Sequence, residues 1–237
     1  MFVAAALGKE SFFWHKLHSL TGVMPVGFYM VQHLTLNSFS LVSADKYNGV
    51  SDFFYSMPEH ILLAIEVFMV WVPLLFHMVY GVFIAQRAQS NYLTTKYKWS
   101  QNRMFFLQRA SGLFLVAFLI FHFCTTTLQI KRLGSHEVVS YAAMRAQLSQ
   151  FSYLMLVFYM LGVLAASYHL CFGLWNFCIR WGITISEQAQ VRVQKMSLGL
   201  FVAITALGWA ALFGFFRPEP QQLMQASHSG HIAVAQR

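Results

Sequence analysis

Val72-Pro73-Leu74-Leu75-Phe76-His77-Met78-Val79-Tyr80-Gly81 places a histidine in the middle of an apolar run, one helical turn ahead of a glycine. The pattern returns as Tyr168-His169-Leu170-Cys171-Phe172-Gly173. Two further histidines, His33 in Met30-Val31-Gln32-His33 and His122 in Leu119-Ile120-Phe121-His122, lie in apolar runs of their own. Ionisable groups are costly in hydrocarbon and tend to mark function there, so four such histidines set the question.

The chain has 237 residues, 57% of them hydrophobic and only 10% charged, where a soluble domain carries about 25% charged residues. The bilayer is therefore the expected solvent. The net charge of +8 needs no nucleic acid, because the basic residues fall between apolar runs and cytoplasmic loops of membrane proteins collect Lys and Arg. Cys124, Cys171 and Cys178 all lie inside apolar runs and read as small core residues, not as a disulfide or zinc set. Met1 to Glu10 has no basic segment ahead of its apolar residues, which argues against a cleaved signal peptide.

Crossing a hydrocarbon core takes about 20 helical residues, and five runs reach that length: 17–39, 61–86, 105–130, 151–179 and 196–216. The predicted fold is an all-α integral membrane protein of five transmembrane helices, one domain over 1–216, followed by a polar tail over 217–237. Segment 87–103 holds Arg87, Lys96, Lys98 and Arg103 with no acid, whereas 40–60 holds Lys46 against Asp45, Asp52 and Glu59. The excess of Lys and Arg puts 87–103, the N-terminus and the 180–195 connection in the cytoplasm and the C-terminus outside. The loop 131–150, with Lys131, Arg132 and Arg145 against Glu137, fits this less well.

The first four runs form two related pairs. Thr21-Gly22 stands just inside run one and Ser111-Gly112 just inside run three, each followed by a histidine, and runs two and four share aromatic-His-x-x-x-Gly. His33 and His122, like His77 and His169, are about 90 residues apart, the mark of an internal repeat. Run five, Met196 to Phe216, has few polar groups and is expected to be peripheral.

Each of the four histidines comes 13 to 18 residues after its run begins, and successive helices alternate direction. His33 and His122 therefore finish near the outer side and His77 with His169 near the cytoplasmic side, giving two sites of two imidazoles stacked across the membrane. Two imidazoles without thiolates or carboxylates suit the axial positions of a haem iron, while zinc would need more protein ligands. No CxxCH occurs, so attachment would be non-covalent.

Gly81 and Gly173 share a helix face with their histidines and would leave room for a flat ring, as would Gly162, seven residues before His169. Gly22 and Ser111, each eleven residues before a histidine, share its face by the 3.6-residue period, with Gly112 beside Ser111. Small residues that merely let helices approach are the plainer explanation. Glu66, the one acid well inside a run, stands eleven residues before His77; on that face it reaches the depth of the outer pair, where a carboxyl group can exchange a proton with a quinone. Its plainer role is a hydrogen bond at the helix entrance. His18, Ser19, Arg103, Gln108 and Arg109 lie at the cytoplasmic edge and could pair with propionates or hold a headgroup.

Leu17-His18-Ser19-Leu20-Thr21-Gly22-Val23-Met24-Pro25-Val26-Gly27 with Gln32-His33, Phe76-His77 through Gly81, Leu107-Gln108-Arg109-Ala110-Ser111-Gly112, and His169 through Trp175 with Trp181-Gly182-Ile183 together resemble the dihaem cytochrome b membrane subunit of succinate:quinone oxidoreductases. The match runs in order over roughly 12–216. The resemblance implies an inner haem b on His77 and His169, an outer haem b on His33 and His122, and a quinone, menaquinone in such relatives, near Glu66. It also implies a flavoprotein and an iron-sulfur subunit as partners, membrane lipid around the chain, a bacterial cytoplasmic membrane as the location, and room for a higher oligomer. Two other readings stand beside it. One is a dihaem cytochrome of a hydrogenase or formate dehydrogenase, the other a haem-free anchor using the histidines as a proton relay.

Overall fold

The computed structural model describes residues 2–87 and 100–218, with side chains from Phe12 onward, and these residues are helical with no strand among them. The basic segment expected in the cytoplasm lies largely, and the polar tail almost entirely, outside the described residues.

Helix α1 (Phe2–Thr21) passes through a π-helical stretch, Gly22–Gly27, into α2 (Phe28–Asn37). Pro25 lies within that stretch and has no N–H to give to the ladder, so the widened turn sits where a regular α-ladder would already be broken. A short 3-10 turn leads to α3 (Ala44–Tyr55), whose N-cap Ser43 accepts from the Lys46 N–H at 3.1 Å. The chain then re-enters as α4 (Glu59–Ile65), a second π-helical stretch, Glu66–Trp71, and α5 (Val72–Arg87). The two π stretches pack against each other.

The third run is α6 (Ser100–Thr125), broken at Thr126 and continued by α7 (Thr127–Leu133), which ends at Gly134 with φ 65°. A left-handed residue there favours glycine. After α8 (Tyr141–Leu148), residues Phe151, Ser152 and Tyr153 form a left-handed turn into α9 (Leu154–Arg180). The last helix, α10 (Glu187–Gly214), is capped by Ser186, which accepts from the Ala189 N–H at 3.2 Å.

Among the described residues, four helices are long and apolar enough to cross a membrane: Glu59–Arg87, Ser100–Leu133, Leu154–Arg180 and Glu187–Gly214. The α1–α2 rod is long enough but is not among them; its apolar residues are interrupted by Gly22, Pro25, Gln32, His33 and Thr35. Of the five expected spans, four are thus met on length and composition among the described residues. Helices overrun the predicted bounds at Phe2, Ser100, Leu133 and Glu187 and fall short of them at Leu154 and Gly214; at Glu187 the Ser186 cap starts the helix ahead of its apolar run.

Run five packs closely against one side of the bundle. α10 packs along α9 and against α2, burying Ile204, Thr205, Gly208, Ala211 and Leu212. Ser40 Oγ donates to the Ala211 carbonyl at 2.7 Å, Tyr141 OH to the Gly214 carbonyl at 2.8 Å, and Trp209 Nε1 to the Met160 carbonyl at 3.0 Å. Small residues replace polarity as the signal: a Cβ on Gly208 would lie 2.5 Å from a Val163 methyl and 3.4 Å from one of Leu34. Gly208→Val should therefore overpack this seam and cost about 1–3 kcal/mol, read as a lower unfolding midpoint in detergent. Gly199→Val, at a position with nothing within 4 Å, should change it little; equal losses at both sites would refute the seam.

Candidate functional site

The four histidines stand in two pairs. His77 on α5 and His169 on α9 have ring centroids 6.0 Å apart at 87°. His33 on α2 and His122 on α6 are 5.9 Å apart at 76°.

The His77 pair is built twice over from one plan. The His77 Nδ1 bonds the His18 carbonyl at 2.9 Å, and the His169 Nδ1 bonds the Gln108 carbonyl at 3.0 Å. A carbonyl only accepts, so Nδ1 carries the hydrogen and Nε2 keeps its lone pair in both rings. Gly22 lies against the His77 ring, leaving no space for a Cβ, and a Cβ on Gly112 would lie 2.8 Å from His169 Cε1. Gly81 faces His18, where a Cβ would be 3.0 Å from Nε2, and Gly173 faces Gln108, at 3.2 Å from its amide nitrogen. Gly22 and Gly112, Gly81 and Gly173, His18 and Gln108 are thus equivalent positions of the repeat. The side chains differ in use: the His18 ring stacks on His77 with centroids 4.1 Å apart, while Gln108 Nε2 donates to the His169 carbonyl at 2.8 Å.

Nearby, Ser111 Oγ donates to the Gln108 carbonyl at 3.0 Å and lies 3.4 Å from His169 Nδ1. Ser19 Oγ donates to the Lys16 carbonyl and accepts from Trp181 Nε1 at 3.1 Å. Arg109 Nε donates to the Phe105 carbonyl on its own helix at 3.3 Å.

The His33 pair is held differently. His122 Nδ1 is 3.4 Å from the Tyr159 hydroxyl, which accepts from Gln147 Nε2 at 3.0 Å. Tyr29 stacks on His33 at 5.6 Å and Phe118 on His122 at 5.9 Å. Sequence reasoning missed Tyr159, Gln147, Phe118 and Tyr29; only Tyr159, ten residues before His169 on the same helix, carried a positional hint.

Three expectations change. Gly162 was expected to leave room for a macrocycle, but the Phe118 ring fills its space. The shared faces of Gly22 with His33 and of Glu66 with His77 were counted on the regular 3.6-residue period. A π-helical stretch lies inside each interval, and its wider turn shifts the faces. Glu66 is also not alone among apolar groups, since its carboxylate pairs with Lys131 Nζ at 3.0 Å. It remains within electrostatic reach of Tyr29, the residue stacked on His33. Between the helices, burial and then the Glu66 carboxylate push the Tyr55 phenol above its ordinary range, with Lys131 opposing. The Tyr55 ring stacks on His136 at 4.8 Å, and His136 Nε2 bonds Asp52 at 2.9 Å.

Two imidazoles with centroids about 6 Å apart have the separation they keep around one iron atom. Among the described residues no three His, Cys, Asp or Glu side chains gather as a metal site, so a metal held by either pair would need further ligands from outside these side chains. The fixed Nδ1–H of His77 and His169 is the orientation ligating histidines adopt.

Residues 85–211 match the family described as the succinate dehydrogenase/fumarate reductase transmembrane subunit. The chain is also 36% identical over 208 residues to the succinate dehydrogenase cytochrome b558 subunit of Bacillus subtilis (strain 168), covering 88% of this chain and 98% of that protein. The tail from 217 lies beyond the family match. With the helices, the paired histidines and these similarities together, the chain belongs to the succinate dehydrogenase/fumarate reductase transmembrane subunit family.

Proposed function

We propose that this subunit carries electrons between an iron-sulfur subunit and a membrane quinone through two haem b groups, one on His77 and His169 and the other on His33 and His122. The observation that carries this reading is the pair of Nδ1 bonds to the His18 and Gln108 carbonyls, which leaves two Nε2 lone pairs free. Haem bound at each level supplies a reversible one-electron carrier. The α1–α2 rod is then a fifth span, since it provides His33. The N-terminus and the His77 end lie in the cytoplasm, the His33 end outside, in a bacterial cytoplasmic membrane. A flavoprotein and an iron-sulfur protein form the catalytic part, and succinate chemistry belongs to them.

The protein's own residues divide the work. His18 and Gln108 hold the ligating rings in one tautomer, and the glycines opposite let the helices approach closely enough for the contact. At the other end Glu66 exchanges protons with the quinone, menaquinone by resemblance, while Lys131 balances its charge when it is ionised. The relative's printed name, a cytochrome b558, supports haem in place of a bare proton relay.

Three measurements test this. His77→Ala and His169→Ala should each remove the same haem from the reduced-minus-oxidised spectrum while the other band survives; loss of different haems would break the pairing. Purified protein without b-type bands would favour the proton relay. Glu66→Gln should keep both haems and slow succinate:quinone turnover about a hundredfold or more, the range for a lost proton-transfer group. Unchanged turnover would remove Glu66 from the mechanism.

A further inference from the structure

At the His33 end of the bundle three segments bring ionisable side chains together. The last turn of α3 carries Asp52 and Tyr55, the second π-helical stretch begins at Glu66, and the connection out of α7 carries Lys131 and His136. The backbone fixes this corner. Gly134, at φ 65°, turns the chain between Lys131 and His136, and Ser135 Oγ accepts from the Glu137 N–H at 3.2 Å. Asn48 Oδ1 on α3 accepts from the Tyr141 N–H at 2.8 Å and ties the far end of the connection to the same helix.

Exposure rises across the cluster. The Glu66 side chain is 22% exposed, His136 34%, Lys131 47% and Asp52 65%. Tyr55 stands between the inner and outer members: its ring stacks on His136 with centroids 4.8 Å apart at 9°, and its phenol feels both Glu66 and Lys131. Burial and then the Glu66 carboxylate push that phenol above its ordinary range, so it hands a proton on through its hydroxyl without ionising. His136 has the arrangement of a carrier. Its Nε2 is 2.9 Å from Asp52 Oδ1, and an ionised carboxylate only accepts, so Nε2 holds the hydrogen and Nδ1 is the nitrogen that gains and loses a proton. Fastening the connection to α3 explains less, because so exposed an ion pair adds little stability and the Asn48–Tyr141 bond already joins these segments.

We propose that Asp52, His136 and Tyr55 form the passage through which Glu66 exchanges protons with the water outside. This rests on the role given to Glu66 above. A quinone that accepts two electrons through this subunit takes up two protons to become the quinol. Each proton leaves the Glu66 carboxyl group, and the carboxylate so formed is reprotonated from the His136 imidazolium by way of the Tyr55 hydroxyl and water. The neutral imidazole then takes its next proton from the outer water. Quinol oxidation runs the same transfers in reverse. Lys131 balances the carboxylate between transfers, and Asp52 does so for the imidazolium.

The test uses the complete membrane-bound complex. His136→Ala should keep both haem b bands and slow succinate:quinone turnover about a hundredfold, the lower end of the range for a lost proton-transfer group. Free imidazole in the buffer should restore much of the turnover in His136→Ala and none in Glu66→Gln. His136→Gln, which keeps a donor for Asp52 but carries no proton, should be as slow as the alanine variant and covers the case in which alanine disturbs folding. Turnover at the parent's rate in the glutamine variant, or a loss in the alanine variant that imidazole does not relieve, overturns the proposal. A second readout is independent of turnover. His136→Cys should take up a membrane-impermeant maleimide added outside intact spheroplasts, above the level set by the parent chain with its Cys124, Cys171 and Cys178. Label that appears only after lysis, or not at all, overturns the passage. Normal turnover in Glu66→Gln would instead sink the role of Glu66, whereas normal turnover in the histidine variants alone sinks the passage and leaves that role standing.

Discussion

A hydrocarbon bundle tolerates an imidazole only if its ring nitrogens have somewhere to turn. At His77 and His169 the solution is to give one nitrogen to a main-chain carbonyl of the neighbouring helix and leave the other open. Much follows from that choice. The carbonyl must come within 3 Å or so of the ring, which demands a glycine on the approaching helix, and Gly22 and Gly112 supply it. The ring's own helix needs a second glycine, one turn on, to accommodate His18 or Gln108. The aromatic-His-x-x-x-Gly spacing is thus half of an interlocking pair of helices, and the Gly22 and Gly112 segments are the other half.

This is why the repeat could be read from sequence. Each equivalent residue meets its counterpart's partner, so a helical spacing on one chain segment maps onto one contact. Reasoning failed where spacing stopped measuring angle. Both intervals that include a π-helical stretch, Gly22 to His33 and Glu66 to His77, were counted on a period that does not hold through them. Pro25 hinted at irregularity in the first, but nothing in Glu66–Trp71 announces the second. Partners from distant segments were equally hidden: Lys131 reaches Glu66 from beyond a break at Thr126, and Phe118 fills the space beside Gly162. Run five was underrated because its packing rests on Gly208, Ala211 and Gly214, residues that carry no chemistry of their own.

The two ends of the bundle meet their polar demands by different means. At the His77 end the partners are main-chain carbonyls, fixed by helix position. At the His33 end they are side chains, with Tyr159 between His122 and Gln147, and with the Glu66–Lys131 ion pair close to Tyr55. Backbone partners hold a geometry, whereas hydroxyl, carboxylate and ammonium groups can change protonation or rotamer. That division suits a fixed electron relay at one end and a proton-exchanging reaction at the other, as the proposed function requires.

The equivalent positions of the repeat are not occupied alike. His18 lays a flat ring on His77, while Gln108 bonds the carbonyl of His169. On the proposed assignment the two imidazoles that would hold one iron have unequal surroundings, one shielded by an aromatic face and one attached through its backbone to an amide. Outer-sphere partners tune a metal centre, so on that assignment residues 18 and 108 would be two separate handles on the reduction potential of the same iron, distant from the pair at the other end. Natural variation at either position could adjust the driving force for electron entry while leaving the quinone end untouched.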